Sequence, residues 1–257
     1  MAAAPVHLVV SEGVARVSIE RPAKRNALDQ AMWEALPALV TAALARDDVR
    51  LLVLASAVPG IFSAGADIGE FARLSPDPAW RRRNREAIRA AQLALAGAAK
   101  PTIALVDGDC IGGGCGLALA CDLRIATPRS RFGITPAKLG LVYPLHDTRL
   151  LVDLVGPAWA KRLLLTGMLI DAGRAERIGL VTEVAEDAEG LVADIATALK
   201  SASPWSQRCT KAMIARIASG ATDDDAESMA LFEAAFDGAD FREGVAAFHD
   251  RRSPRFG

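Results

Sequence analysis

The chain carries almost no excess charge of either sign. Its 257 residues include 30 Lys plus Arg against 31 Asp plus Glu, which leaves a formal net charge of −1. Proteins that are drawn to nucleic acid or to an anionic membrane by their overall field carry a clear positive excess. The composition therefore argues against both functions, and we expect neither a nucleic-acid partner nor a membrane partner.

Long apolar runs are also missing. No run reaches the roughly 18 uncharged apolar residues that a membrane-spanning helix requires. Residues 1–6 lack the basic start and apolar stretch of a targeting segment. With 51% hydrophobic and 24% charged residues, the chain has the composition of an ordinary globular protein. These features predict a cytoplasmic enzyme.

Metal-binding patterns are absent as well. The chain has three histidines and four cysteines, Cys110, Cys115, Cys121 and Cys209. The cysteines do not form the close CxxC pairs of zinc sites, and no histidine lies beside them. We predict no metal site. Small, reduced, buried thiols that pack a glycine-rich turn are the simpler interpretation, and they suit a reducing compartment.

What is present is a repeated pattern of strand and helix signals. Residues 6–20 hold two β-branched runs around Glu12-Gly13, which is typical of a hairpin. Asp29 is placed to cap a helix, and apolar runs at 51–55 and 102–107 predict buried strands. This recurrence favours a layered or spiral α/β core over a doubly wound sheet.

The pattern changes in the last third of the chain. From about residue 157 the periodicity is helical, with little strand signal beyond residues 180–184. We therefore predict a core of residues 1–200 and a helical C-terminal subdomain of residues 201–257.

Two glycine-rich segments, Phe62–Ile68 and Cys110–Cys121, each follow an apolar run. Turns of this kind can aim bare backbone N–H groups at an oxyanion. A dinucleotide-binding loop is the alternative, but residues 112–116 lack the third glycine of GxGxxG, and no acidic residue ends a strand about twenty residues on.

Both segments, in order, resemble the signature regions of the crotonase (enoyl-CoA hydratase/isomerase) family. Four further blocks extend the resemblance over nearly the whole chain: Arg21–Leu28, Phe132–Gly140, Ala175–Val181 and Glu243–Phe248. The resemblance implies an α/β fold, the crotonase (ClpP-like) spiral of ββα repeats with a helical C-terminal trimerisation region. It also implies an acyl-CoA thioester as substrate, with coenzyme A as part of that substrate rather than a separate cofactor, and a homotrimer or dimer of trimers.

The same resemblance assigns roles to individual residues. The N–H groups of Ala66 and Gly113 would form an oxyanion hole for a thioester enolate. Contacts with coenzyme A are implied for Lys24, Arg25, Ala27, Leu28, Ala64, Asp67, Ile68 and Arg251 (or Arg252). Lys and Arg pair well with phosphate, although a basic pair at a chain end is as readily a solvated surface. Asp67 is also expected to hold its own loop.

The two carboxylates of the family's hydratases are missing. Where those enzymes carry glutamate, this chain has Gly116 and Pro136, and the alternative position of an isomerase base is Pro144. Glycine and proline side chains cannot transfer protons. Hydration needs a general acid and a general base, and isomerisation needs at least one base. Decarboxylation of a malonyl-type thioester needs no base, because the departing carbon dioxide itself leaves an enolate.

The block from Thr135 to Pro144 resembles that of methylmalonyl-CoA decarboxylases, in which threonine, proline and tyrosine recur at these positions. It implies that Tyr143 holds or orients a substrate carboxylate and that Thr135 assists. Two positions depart from those decarboxylases, which carry histidine at the place of Ala66 and glutamate at that of Gly116. Tyr143, the only tyrosine, could instead be a core ring with its hydroxyl tied to the backbone.

His146 and Asp147 follow directly. Neighbouring helical residues point about 100° apart, so we expect no dyad between them. Asp147 is expected to cap the helix that runs through residues 150–154, and His146 to lie at the pocket edge as a candidate catalytic group. Either could transfer a proton.

Three functions remain open at this point. The preferred one is an acyl-CoA lyase, a decarboxylase that acts on a malonyl-type thioester. The second is a hydratase or isomerase in which water or His146 and Asp147 replace the missing glutamates. The third is a non-catalytic acyl-CoA-binding homologue.

Overall fold

The computed structural model describes residues 5–256. Residues 1–4, on which part of the targeting prediction rests, lie outside the described residues. Ten strands form two sheets, and their bounds are β1 (Val6–Ser11), β2 (Val14–Ile19), β3 (Leu51–Ser56), β4 (Ile61–Ser63), β5 (Thr102–Val106), β6 (Asp109–Ile111), β7 (Leu123–Ala126), β8 (Arg131–Gly133), β9 (Leu169–Asp171) and β10 (Glu183–Val184).

Helices separate and cover these strands. Their bounds are α1 (Gln30–Leu44), α2 (Ile68–Leu74), α3 (Pro78–Ala96), α4 (Gly113–Leu119), α5 (Leu145–Thr166), α6 (Ala172–Arg177), α7 (Ala188–Lys200), α8 (Pro204–Ala218), α9 (Ala226–Phe236) and α10 (Ala239–Asp250). Among the helices of residues 5–256, none combines the length and apolar character that crossing a bilayer demands.

The predicted hairpin is confirmed, because β1 and β2 pair antiparallel around Glu12-Gly13. The predicted cap is also confirmed, since the Asp29 carboxylate accepts a hydrogen bond of 3.0 Å from Met32 N at the start of α1. Within the glycine-rich segment Cys110–Cys121, α4 begins at Gly113. The strand expected at residues 180–184 shrinks to Glu183–Val184.

The larger sheet has the strand order β1-β2-β3-β5-β7-β10, and the smaller has β4-β6-β8-β9. From β3 onward, each repeat sends its first strand into the larger sheet and its second strand into the smaller one. Thus β3, β5 and β7 are parallel neighbours in one sheet, and β4, β6 and β8 are parallel neighbours in the other. The chain advances by one strand in each sheet per repeat, which is the spiral that the family resemblance implies.

Alternate residues of the central strand face two apolar clusters. Leu52 and Leu54 of β3 belong to the main core with helices α1 and α3, whereas Leu51 and Val53 pack with α7. A strand covered on both faces reads as a continuous apolar run. This explains why the strand signal at residues 51–55 is strong while the short strands β4, β6 and β9 give none.

Candidate active site

The two glycine-rich segments leave the carboxyl ends of neighbouring strands. The segment after β4 contains Ala66, and the segment after β6 contains Gly113. Because β4 and β6 pair in parallel, the loops at their ends lie side by side. A Cβ placed on Gly113 would lie 3.7 Å from the backbone N of Ala66. The structure thus brings together the two residues that the sequence nominates as oxyanion donors.

The N–H of Ala66 points away from the segment that contains Leu28. Leu28 and Ala66 form an isolated parallel bridge, in which Leu28 N donates to Gly65 O at 2.7 Å and Asp67 N donates to Leu28 O at 2.9 Å. In such a bridge the flanking residues make the bonds, so the polar groups of Ala66 point to the other side. Within residues 5–256 neither Ala66 N nor Gly113 N donates a hydrogen bond to another residue, which leaves both N–H groups free for a ligand oxygen.

Close approach of these loops requires glycine. Gly65 has φ +93°, and a Cβ there would lie 2.9 Å from Ile111 O and 3.2 Å from Gly113 N. A Cβ on Gly113 would lie 2.9 Å from the ring of Trp33, which is fully buried. Side chains at either position would push the two donors apart.

The next turn of α4 differs from the family's hydratases. Gly116 lies three residues after Gly113, on the same face of the helix. A Cβ on Gly116 would lie only 2.6 Å from Nε2 of Gln92 and 3.1 Å from the hydroxyl of Tyr143. The space from which a hydratase glutamate would project is therefore flanked by an amide and a hydroxyl.

These flanking groups lack partners. Both polar atoms of the Gln92 amide and the Tyr143 hydroxyl are shielded from solvent, and they make no hydrogen bond within the described part of the chain. Leaving a buried polar group unpaired costs about 1–3 kcal/mol. Two such unpaired groups side by side are typical of a site where a ligand supplies the missing hydrogen-bond partner.

Tyr143 remains a hydrogen-bond donor at neutral pH. Burial raises the pKa of its hydroxyl well above the usual value, and the nearby charges of Asp147, Cys115 and Cys110 add to the rise. The alternative in which this hydroxyl is tied to the backbone is wrong, since no such bond is present among residues 5–256. The phenol therefore keeps its proton and can donate it to an anionic oxygen.

The expectation that Asp147 caps α5 is wrong. The helix begins at Leu145 with Pro144 at the cap position, and no side chain caps it. Asp147 instead lies within the first turn and is only 5% exposed. Burial raises the pKa of Asp147 to about 6, and the facing Gln92 amide opposes part of that rise, although the two groups do not reach normal hydrogen-bond geometry.

His146 and Thr135 lie on either side of the segment that contains Tyr143. His146 is half-buried, and burial together with Arg89 and Arg149 lowers its pKa, so that the ring is neutral at pH 7. No hydrogen bond joins His146 to Asp147 in residues 5–256. Thr135 is half-buried just before the short 3-10 turn Pro136–Leu139.

The residues implied in coenzyme A binding mostly lie on two adjacent segments. Residues 24–28 run beside residues 64–68, and Ala64 N donates to Arg25 O at 3.0 Å. Ala27 and Leu28 are buried, Ala64 is half-buried, and Lys24 and Ile68 are exposed. This arrangement presents a charged edge and an apolar edge next to the oxyanion donors.

Two of those residues already have protein partners. Arg25 donates to the Asp109 carboxylate at 2.6 Å. Asp67 caps α2 by accepting from Gly69 N and Glu70 N. Burial alone would raise the pKa of Asp67, but hydrogen bonds from Arg21, Glu70 and Gly69 lower it on balance. Asp67 therefore holds the loop that carries Ala66, which is one of the two roles that we expect for it from the sequence.

Arg251 lies elsewhere in the fold. It ends α10 with φ 53°, is exposed, and makes no hydrogen bond to residues 24–28 or 64–68 within the described chain. Arg252 beside it is held by Glu243 at 2.6 Å. The structure of one chain does not bring Arg251 to the oxyanion donors.

Sequence reasoning missed two residues of this site, Gln92 and Trp33. Gln92 lies on the buried stripe of α3 with Trp80, Ala87, Ala91 and Leu95. A fully buried amide within an apolar helical stripe is a usable signal, because such a group is costly without a partner. Trp33 gave no signal beyond its place on the apolar face of α1.

Comparisons with known proteins identify the family to which this fold belongs. The sequence model described as "Enoyl-CoA hydratase/isomerase" matches residues 10–257. An enoyl-CoA hydratase/isomerase family protein from Hyphomonas neptunium has a crystal structure that superposes with a TM-score of 0.95, at 40% identity over 98% of this chain and 97% of that one.

Two named relatives cover the chain almost completely. (E)-benzylidenesuccinyl-CoA hydratase from Thauera aromatica is 34% identical over 98% of each chain. Mitochondrial methylglutaconyl-CoA hydratase from Rattus norvegicus is 32% identical over 96% of this chain and 80% of its own length. The implied α/β spiral is thereby confirmed, and the named relatives are hydratases rather than decarboxylases.

Proposed function

This chain belongs to the enoyl-CoA hydratase/isomerase (crotonase) family, and from that premise we propose that it is a lyase which removes carbon dioxide from a malonyl-type acyl-CoA. The thioester oxygen binds between the N–H groups of Ala66 and Gly113. The observation that carries the proposal is the pair of buried, unpartnered donors beside Gly116, the Tyr143 hydroxyl and the Gln92 amide.

A carboxylate is the ligand that best fits that pair. Two neutral donors about one helical turn from an oxyanion hole can each hydrogen-bond one oxygen of a carboxylate, and bonds to a charged acceptor are the stronger kind. In the family's hydratases a glutamate side chain projects from the position of Gly116. Here that position has no side chain, so we propose that the substrate carboxylate occupies the space beside it. Malonyl-type thioesters place a carboxylate on the carbon next to the thioester, close to the oxygen that the two N–H groups would bind.

The chemistry then needs no base. The bond between the α-carbon and the carboxylate breaks, its electron pair enters the thioester enolate, and carbon dioxide departs. Two preorganised N–H donors stabilise the enolate oxygen, each by about 10²–10³ in rate. The α-carbon finally takes a proton. We propose orienting roles for Thr135 and His146 at the edge of this site.

Coenzyme A is proposed to lie along the paired segments 24–28 and 64–68. The main-chain bonds between them hold Ala66 in register with the ligand, and Lys24 and Arg25 can meet phosphate oxygens. Arg251 is proposed to reach the phosphates of a ligand bound to a neighbouring subunit, since it is exposed and makes no hydrogen bond to these segments within residues 5–256.

Hydration or isomerisation is the second candidate. It is favoured by the names of the relatives and by the buried carboxyl of Asp147, one of the two groups that the sequence offers in place of the missing glutamates. Against it stands the crowding at Gly116, because a glutamate there requires Gln92 to move. The relatives' names, methylglutaconyl and benzylidenesuccinyl, each denote a thioester of a dicarboxylic acid, which agrees with a carboxylate-bearing substrate.

The test is a turnover screen by mass spectrometry with methylmalonyl-, ethylmalonyl- and malonyl-CoA beside crotonyl-CoA and a 3-enoyl-CoA. Carbon dioxide release from a malonyl thioester, reduced in Tyr143→Phe, would support the lyase. Ordinary hydration or isomerisation rates would contradict it in favour of the second candidate. Coenzyme A binding without turnover of any substrate would leave a non-catalytic binder.

We also propose a homotrimer or dimer of trimers that forms through the C-terminal helices. Phe232, Phe236, Phe241 and Phe248 are exposed there on α9 and α10, and exposed aromatic patches are typical of association surfaces. Sedimentation analysis of the purified chain tests this proposal, and a monomer would contradict it. The cytoplasmic location stays a prediction.

A further inference from the structure

The Gln92 amide and the Tyr143 hydroxyl lie beside Gly116, and Asp147 faces Gln92; we call these three polar side chains the Gly116 cluster. They come from α3, from the loop before α5, and from the first turn of α5. Gln92 is fully buried with both amide atoms unpartnered, and the Tyr143 hydroxyl is shielded and unpartnered too, within residues 5–256. Gly116 lies one turn of α4 from Gly113, so the cluster lies next to the proposed oxyanion hole.

Asp147 points into this cluster from α5. It lies four residues before the fully buried Leu151, so both side chains share the face of α5 that packs on the core. Its carboxyl faces the Gln92 amide and lies close enough to Tyr143 to perturb that hydroxyl. A helix-capping role, which would have occupied the carboxylate, is absent.

We propose that Asp147 is a catalytic residue that transfers a proton to and from the α-carbon of the bound acyl-CoA thioester, with Gln92 as its positioning residue. This inference rests on the proposed enolate chemistry. It supplies the proton donor which decarboxylation needs after carbon dioxide has left.

The step balances without a further reactant. The O–H bond of the Asp147 carboxyl breaks, its proton joins the α-carbon, and the electron pair of the enolate forms the new C–H bond while the thioester C=O is restored. Asp147 is left as a carboxylate and recovers a proton from water. In the reverse direction the carboxylate removes an α-proton and creates the enolate.

The surrounding groups make Asp147 the member of the cluster that titrates near neutral pH. Burial brings its pKa to about 6. Tyr143 keeps its proton because its pKa is raised well above the usual value, and burial likewise raises the pKa of the Cys110 thiol on β6. Burial, together with the charges of Arg89 on α3 and Arg149 on α5, lowers the pKa of the neighbouring His146 and keeps it neutral.

Exchange of α-protons tests the assignment without requiring decarboxylation. The full-length protein is incubated with propionyl-CoA in D₂O, and deuterium at the α-carbon is measured by mass spectrometry. We expect exchange in the wild type and a loss of about 10²–10⁴-fold in Asp147→Asn, the range typical of a general acid or base. The exchange rate should rise with pH around a midpoint near 6, because abstraction needs the carboxylate.

Asp153→Asn is the matched control, since Asp153 lies on the same helix and is half exposed beside Arg149. It should exchange at the wild-type rate. Binding of propionyl-CoA by calorimetry should be unchanged in both variants, which separates lost chemistry from lost folding. Gln92→Ala should slow exchange and broaden or shift its pH midpoint, which a merely structural residue would not do.

The outcomes separate this inference from the proposed function. Exchange that persists in Asp147→Asn, that is lost in His146→Gln instead, or that is missing in the wild type would overturn the role of Asp147. Exchange that depends on Asp147 in a protein that releases no carbon dioxide from any malonyl thioester would support Asp147 and overturn the lyase.

Discussion

Two positions one turn apart on the short helix α4, Gly113 and Gly116, differ in what the site keeps. At Gly113 the site keeps what the family resemblance implies, because the backbone N–H groups of Gly113 and Ala66 are free and adjacent. At Gly116, one turn later, the acidic group of the family's hydratases is missing, and Gln92 and Tyr143 border the space. The first half of the site consists of backbone, and the second consists of side chains.

This difference shows how the two halves can vary separately. The oxyanion hole depends on the parallel pairing of β4 and β6, which belongs to the fold itself. The proton-transfer half depends on side chains from α3 and α5, which can be exchanged without altering either sheet. A change of reaction on an unchanged scaffold therefore falls on the Gly116 side.

The largest expected effect is at Gly113, on the oxyanion-hole side of the site. In Gly113→Ala the new Cβ would meet the Trp33 ring at 2.9 Å, so the two donors must separate. We expect a loss of kcat by about 10²–10³, the value of one oxyanion donor. Steady-state kinetics on the substrate identified by the turnover screen measures this loss.

Gly173→Ala is the control for that variant, because its Cβ would meet only ordinary contacts on α6. An active Gly113→Ala enzyme would show that the oxyanion hole is not where we place it.

On the Gly116 side of the site, Asp147→Asn should stabilise the protein at neutral pH. The folded-state pKa of Asp147 is raised from 3.8 to about 6, so ionisation of the buried carboxyl destabilises the fold as pH rises through this window. At about 1.4 kcal/mol per pKa unit the upper limit is about 3 kcal/mol, and partial solvent contact brings the expectation to about 1–3 kcal/mol.

Denaturant unfolding of wild type and Asp147→Asn at pH 4 and pH 7.5 measures the effect. The gain should be present at pH 7.5 and mostly lost at pH 4, where the folded-state carboxyl is protonated and the unfolded-state carboxyl, with its pKa at 3.8, is only partly ionised. Equal gains at the two pH values would mean that packing, not ionisation, sets the difference.

Tyr143→Phe should lower carbon dioxide release by about 10–100-fold, because a hydrogen bond to a charged group contributes about 1.5–3 kcal/mol. The ring stays in place, so affinity for coenzyme A itself should not change. Isothermal titration with coenzyme A beside the turnover assay separates the two. If release is unaffected, Tyr143 is a packing residue.

The smallest effect concerns the loop that carries Ala66. Asp67→Ala removes the cap of α2 and the partner of Arg21, and we expect a loss of about 1 kcal/mol in the free energy of unfolding with a modest rise in KM. Because the pKa of Asp67 is lowered in the fold, this stabilisation should disappear as pH falls through that pKa. Asp77→Ala, which removes the cap of α3, should cost similar stability without raising KM.

The same contrast explains what the sequence could predict. The hairpin, the Asp29 cap and the buried strands β3 and β5 follow from local periodicity, and the oxyanion donors follow from glycine placement after strands. Strands β4 and β6 have only three residues each, so their pairing is fixed by the spiral rather than by local pattern.

The Gly116 cluster could not be predicted, because its members lie far apart in the chain and meet only through packing of α3 and α5 on α4. Asp147 shows the difficulty most clearly. An aspartate near the start of a helix matches the pattern of a cap, and only the observed start at Leu145 places it inside the first turn.

The most direct test of the account is a crystal structure with 2-sulfopropionyl-CoA, a methylmalonyl-CoA analogue whose sulfonate cannot leave. The account predicts the thioester oxygen within hydrogen-bond distance of Ala66 N and Gly113 N, and sulfonate oxygens within that distance of the Tyr143 hydroxyl and the Gln92 amide. A sulfonate that points to solvent, or a thioester oxygen away from the two N–H groups, would contradict it.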